Sequence, residues 1–224
     1  MLHSRILGLV DEIGVPLLLG APAYEQVGSR IHYYNSAFII VPGQGIAGRY
    51  DKVHLVPFGE YAPFSGVLDF TRQIIGSIGD FTPGREIRSL TIPWGKVGVL
   101  ICYEAIFPDL TRRFVDQGAE FLVNITNDAW FGRTSAPYQH LSMVVFRAVE
   151  NRVSIARAAN TGISGFIDPT GRIQISSGIF TNEVLSGKIY TNKLKTFYTE
   201  WGDGFAFGCI LMSLAAFINR LKRG

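Results

Sequence analysis

Val97-Gly-Val-Leu-Ile-Cys102 is an unbroken apolar run ending in a cysteine, followed at once by a helix-like segment through Leu110. A run without polar alternation is predicted to be a strand buried on both faces, the kind found inside parallel sheets. Open α/β sheets carry their chemistry at the carboxyl ends of such strands, where Cys102 falls. Taken alone, a cysteine in this setting is more often a core thiol than a reactive one.

Upstream, Arg49-Tyr-Asp-Lys52-Val-His54-Leu-Val-Pro-Phe-Gly-Glu60-Tyr61-Ala-Pro-Phe64 mixes charge, aromatics, Gly and Pro with neither helical nor strand period. It is predicted to be a loop, and a loop so rich in ionisable groups points to function. A lysine beside a cysteine favours the thiolate and can hold the oxygen that turns anionic when the thiolate attacks a carbonyl. Lys52, Glu60 and Cys102 thus form a candidate set.

Three stretches together carry a family resemblance: Tyr50-Asp-Lys-Val-His-Leu-Val-Pro-Phe-Gly-Glu-Tyr61, Ile101-Cys-Tyr-Glu104 and Asn124-Ile-Thr-Asn-Asp-Ala-Trp-Phe-Gly132. In order and spacing they resemble the nitrilase-type domain of the apolipoprotein N-acyltransferase family. The resemblance implies a four-layer αββα sandwich and a Glu-Lys-Cys triad. Lys52 would be its lysine, Cys102 its nucleophile, and Glu60 a further glutamate supporting the lysine. Tyr103 and Glu104 would position the nucleophile, and Trp130 and Phe131 would wall an acyl pocket. The triad's glutamate base matches no position of this chain. The expectation is therefore a domain lacking its first strand and helix, a fragment of a longer protein.

The rest of the 224-residue chain fits one α/β domain, expected over residues 1–200. Leu2, Ile6, Leu9, Val10 and Ile13 recur at helical spacing up to Gly14. Residues 16–21 and 35–41 are predicted as strands joined by a polar connection over 24–30, and residues 64–86 as a lid or long surface loop. Residues 90–93 and 96–101 are expected to form a hairpin around Trp94-Gly95, followed by a helix from Pro108 and a strand over 121–125. A long helix over 135–151 and strands over 153–159, 164–167 and 172–175 follow, with 184–190 completing the sheet. Arg147, Glu150, Arg152 and Arg157 are expected to form internal ion pairs rather than a site.

A formal charge of +3, with no basic stripe, gives no ground for nucleic-acid binding. The histidines His3, His32, His54 and His140 show no ligand spacing, so neither metal nor cofactor is expected. No secretory signal is visible at the amino terminus. The segment 204–218 is free of charge and precedes Arg220, Lys222 and Arg223. Though shorter than the roughly 20 residues of a spanning helix, it is predicted to anchor the protein over residues 201–224, extended by snorkelling basic side chains. Its basic cluster should stay cytoplasmic, which puts the domain on the periplasmic side of a bacterial inner membrane.

By resemblance, the function is transfer of a fatty acyl chain from a phospholipid donor to the amino-terminal S-diacylglyceryl-cysteine of an apolipoprotein, through a Cys102 thioester. Two other readings compete: a nitrilase-like amidase using the same residues, and an inactive remnant, given the missing base. Glu25, Glu60 and Glu104 are the nearby glutamates that would have to replace it.

Overall fold

The computed structural model describes residues 2–61 and 81–222. Helix α1 (Leu2–Ile13) buries Val10 against the sheet that follows. It ends at Gly14, whose φ of 74° suits glycine and whose N–H reaches the carbonyl of Val10 at 3.0 Å. Strands β1 (Leu17–Val27), β2 (Arg30–Val41) and β3 (Gly45–Asp51) then form an antiparallel meander in that order, leaving β1 at an edge.

A second, six-stranded sheet has the order β4 (Leu90–Ile92), β5 (Gly95–Ile101), β6 (Phe121–Thr126), β7 (Ile155–Ala159), β8 (Gly165–Ile167) and β9 (Ile173–Ser176). Its three central strands are parallel, joined through helices α2 (Pro108–Asp116) and α3 (Ala136–Asn151). Parallel neighbours need such crossovers. Leu110, Phe114 and Val115 of α2 and Leu141, Val144 and Ala148 of α3 are buried in the common core.

The two sheets pack face to face, with Ala37, Ile39 and Tyr50 sharing a core with Val97, Val99 and Ile101. At Gly20 they come so close that a Cβ would lie 2.8 Å from Cδ1 of Ile125. The succession helix, sheet, sheet, helix is the αββα sandwich anticipated above.

Three expectations are corrected. Residues 24–27 continue β1, paired with β2 up to Val27↔Arg30, rather than forming a connection. The loop expected from Arg49 starts only after Asp51, because β3 pairs with β2 through Ser36↔Asp51. Residues 184–190 form no strand; the chain there is irregular, Ile189 packs on the core, and the N–H of Tyr190 donates to Ser154 Oγ at 3.0 Å. Of the expected lid over 64–86, residues 64–80 lie outside the described residues.

After a short helix α4 (Phe197–Trp201), helix α5 (Gly204–Leu221) runs 18 residues with mean hydropathy 1.6 and none of it buried. By length and composition it is apolar enough to cross a membrane.

Candidate active site

Cys102 follows the last residue of β5 and opens a short 3₁₀ turn, Cys102–Ile106. Its φ is 53°, in the left-handed region, which costs a residue with a Cβ about 1–2 kcal/mol. Neighbouring side chains hold this elbow. Asn124 Nδ2 donates to the carbonyl of Leu100 at 2.9 Å, and the N–H of Ile101 donates to Glu104 Oε2 at 2.8 Å.

Glu104 is fully buried, and every partner it has is a donor. Its Oε1 accepts from the Tyr50 hydroxyl at 2.8 Å and from the N–H groups of Val53 at 2.8 Å and His54 at 3.1 Å. Burial pushes its carboxyl up, opposed by the N–H groups of Ile101, His54 and Val53 and by the Tyr50 hydroxyl. A cradle with only donors fits the carboxylate form. Burial and the Glu104 charge in turn push the Tyr50 phenol up, so it stays a donor. Glu104 thereby ties the end of β5 to the segment just after Lys52.

Lys52 itself is 0% exposed. Its N–H donates to the carbonyl of Asn35 and its carbonyl accepts from the N–H of Gly84, both at 2.8 Å. Its Nζ lies 2.7 Å from Glu60 Oε2, which also takes the N–H of Val56 at 2.8 Å. Glu60 Oε1 accepts from Asn35 Nδ2 at 2.7 Å. The glutamate is thus fully engaged in holding one buried ammonium.

Between the sheets lies an open cavity of about 610 Å³. Cys102, Glu60 and Asn35 reach it, as do Gly20, Ile101, Ile125, Ala158 and Trp130. The structure thus brings Cys102, Glu60 and, through Glu60, Lys52 to one place. Trp130 lines the cavity, 73% exposed. Phe131 does not line it; its ring meets that of His140 edge-on at 6.4 Å. Tyr103 turns away too, edge-on to Phe107 at 5.1 Å and tilted against His54. Glu25 lies in a different, polar pocket, paired with Arg49 at 2.9 Å.

On the other face of the sheet is a cluster that the sequence reading missed. Asp128, His140 and Arg157 are all buried. Arg157 Nη2 donates to Asp128 Oδ2 at 2.7 Å, and its Nη1 donates to Asn124 Oδ1. His140 Nδ1 stands 3.1 Å from Asp128 Oδ1, and its Nε2 is 3.3 Å from the carbonyl oxygen of Cys102. Burial pushes the Asp128 carboxyl up, but His140, Arg157 and Thr126 more than offset it and leave it below the usual range. A Cβ on Gly162 would lie 2.2 Å from Asp128 Oδ2, so only glycine fits beside this carboxylate. The register Leu100↔Asn124↔Arg157 was the available signal: two polar residues on one rung of a buried sheet must pair. Arg157 does form the internal ion pair expected of it, and so does Arg147, with Glu150. Among the described residues no three His, Cys, Asp or Glu side chains group as a metal would need.

The carbon-nitrogen hydrolase family model matches residues 3–197. A Geobacter metallireducens protein named apolipoprotein N-acyltransferase is 50% identical over 92% of this chain and 40% of its own length. A protein of the same name from Synechocystis is 36% identical over 92% of the chain and 39% of its own. The chain thus spans about two fifths of the curated relatives it matches. Among solved structures, a carbon-nitrogen hydrolase from Helicobacter pylori superposes with a TM-score of 0.59 at 18% identity, over 78% of this chain and 62% of that one. A nitrilase-superfamily member from Saccharomyces cerevisiae superposes with a TM-score of 0.60 at 21% identity, over 80% and 62%. With the sandwich, the cysteine elbow and the buried lysine in place, the chain belongs to the carbon-nitrogen hydrolase family.

Proposed function

We propose that the chain is the catalytic domain of an N-acyltransferase. It moves a fatty acyl chain from a phospholipid to the amino-terminal S-diacylglyceryl-cysteine of apolipoproteins. The observation that carries this reading is the shared cavity, in which a cysteine on a left-handed elbow meets the glutamate that holds a fully buried lysine. The names of the relatives support the same reading.

In this mechanism the Cys102 thiol gives its proton to the glutamate base of the triad, which matches no position of this chain, and the thiolate attacks the lipid ester. The oxyanion is held by the Lys52 ammonium and the main-chain N–H of Tyr103. The base returns that proton to the departing lysolipid oxygen, and a thioester remains. The lipoprotein amine then attacks the thioester and gives a proton to the same base, an amide forms and Cys102 is released as the leaving thiol, so the kinetics are ping-pong. Glu60 holds Lys52, and Glu104 fixes the Lys52 segment against the elbow. Glu25, paired with Arg49 elsewhere, and Glu104, saturated by donors, are out as general bases for Cys102.

The open cavity, where Ile101, Ile125, Ala158 and Trp130 offer an apolar wall, suits an acyl chain better than the closed polar pocket an amidase would need. Helix α5 anchors the domain, and the basic cluster that the sequence carries at Arg220, Lys222 and Arg223 stays cytoplasmic, leaving the site on the periplasmic side.

The test is incubation of the detergent-solubilised protein with phospholipid radiolabelled in its acyl chains. A hydroxylamine-labile label on Cys102, absent from Cys102→Ala, is expected. Label on Cys209, label surviving in Cys102→Ala, or no label on the folded protein would refute the proposal.

A further inference from the structure

We propose that His140 is a positioning residue for the oxyanion site, acting through the peptide bond between Cys102 and Tyr103. The inference rests on the reading of Cys102 as the acyl-accepting nucleophile. A carbonyl oxygen only accepts, so the His140 Nε2 that stands 3.3 Å from the Cys102 carbonyl is the donor. The imidazole is held from its other side at Nδ1, which bonds either Asp128 Oδ1 at 3.1 Å as the imidazolium or Arg157 Nη2 at 3.2 Å as the neutral ring, and Asp128 and Arg157 are tied to each other at 2.7 Å. Asp128 is itself fixed by Thr126 Oγ1 at 2.9 Å, and Arg157 by the carbonyl of Ile163 at 3.0 Å.

None of His140, Asp128 and Arg157 lines the cavity, so the cluster touches no substrate. It grips the back of the elbow. A peptide unit is planar and trans, so its N–H points opposite to its C=O. A donor that fixes the Cys102 carbonyl on the helix side of the sheet therefore fixes the Tyr103 N–H toward the cavity side. The same bond polarises the peptide and makes that N–H a stronger donor. The left-handed Cys102 opens the 3₁₀ turn, and His140 adds a side-chain constraint to this first peptide of the turn.

Two reactions of Cys102 separate this role from a general effect on the fold. Acylation by p-nitrophenyl butyrate passes through an oxyanion; alkylation by iodoacetamide does not. Both rates are measured in a Cys209→Ser background for the parent, His140→Leu and His140→Gln, with thermal melts as a folding check. Loss of a whole oxyanion donor costs about 10²- to 10³-fold. A misaimed donor should therefore slow acylation of His140→Leu by about tenfold to a hundredfold, while its alkylation stays within about twofold of the parent.

His140→Gln, whose side-chain amide can donate to the same carbonyl, should recover most of the ester rate. Equal losses in both reactions, no loss toward the ester, or a folded His140→Gln no better than His140→Leu would each overturn the proposal. A parent protein that is alkylated at Cys102 yet takes no acyl group from the ester would overturn the nucleophile reading, and the role of His140 with it. Failure with phospholipid alone, while the ester pattern holds, would refute only the lipid substrate.

Discussion

Replacing Glu60 with Gln removes a counter-charge while keeping the shape of the side chain. The remaining oxygen can still accept one of the donors from Asn35 and Val56, so the main change is electrostatic. Lys52 is 0% exposed and would be left as a buried ammonium facing a neutral amide. Breaking a buried pair by removing one partner costs about 3–5 kcal/mol. Glu60 retains 13% exposure, which lets some water in and favours the lower end. A loss of about 3 kcal/mol is a large share of the roughly 5–15 kcal/mol that holds a domain together. For a chain of this size it should lower the melting midpoint by roughly 6–12 °C.

Adding Lys52→Met removes the stranded charge and should restore most of the lost stability, because a buried ion pair replaced by apolar groups is often neutral. Urea unfolding of the parent, the two single variants and the double variant in detergent closes the cycle. A Glu60→Gln protein within about 1 kcal/mol of the parent would refute the reasoning, since exposed pairs are worth no more than that. So would a double variant no more stable than Glu60→Gln.

Glu104→Gln should lose about 1–3 kcal/mol in urea unfolding, because one of the oxygens serving four donors becomes an NH₂ group facing a donor; unchanged stability would count against the cradle described above. Asp128 has its carboxyl held below the ordinary 3.8, so its stabilising contribution is full above that pH and is lost as pH falls through the lower folded value. The stability gap between the parent and Asp128→Asn, read from melts across pH, should therefore be constant near neutrality and shrink below pH 3.8; a gap that widens in acid would reverse the argument. Ending the chain at Trp201 should release the protein from the membrane fraction and leave its melting midpoint close to the parent's, since α5 is unburied throughout; retention in membranes would remove α5 as the anchor.

The strand that delivers Cys102, the hairpin before it and the helix over 136–151 were legible because apolar pattern and turn residues agree there. Residues 24–27 misled because Tyr24-Glu-Gln-Val is polar and mostly exposed, and what makes it strand is its partner at 30–33. Residues 184–190 alternate like a strand, yet Gly187 sits under the Phe166 ring, where a Cβ would be 2.4 Å away, and the chain crosses without pairing. Lys52, Glu60 and Cys102 were legible through motif chemistry. Asp128, His140 and Arg157 were not, because each comes from a different element and only the sheet register and the crossover helix bring them together.

The left-handed backbone at Cys102 also bears on how this chain would drift if its chemistry were no longer required. Glycine adopts that conformation without steric cost, so of all substitutions at the elbow, Cys102→Gly removes the strain that the cysteine carries. Loss of activity and relief of strain thus lie along one mutational step. On the proposed function, a copy freed from selection for acyl transfer has an easy exit to a quiet, well-folded relic, and a glycine at this position in a related chain would mark one that has taken it.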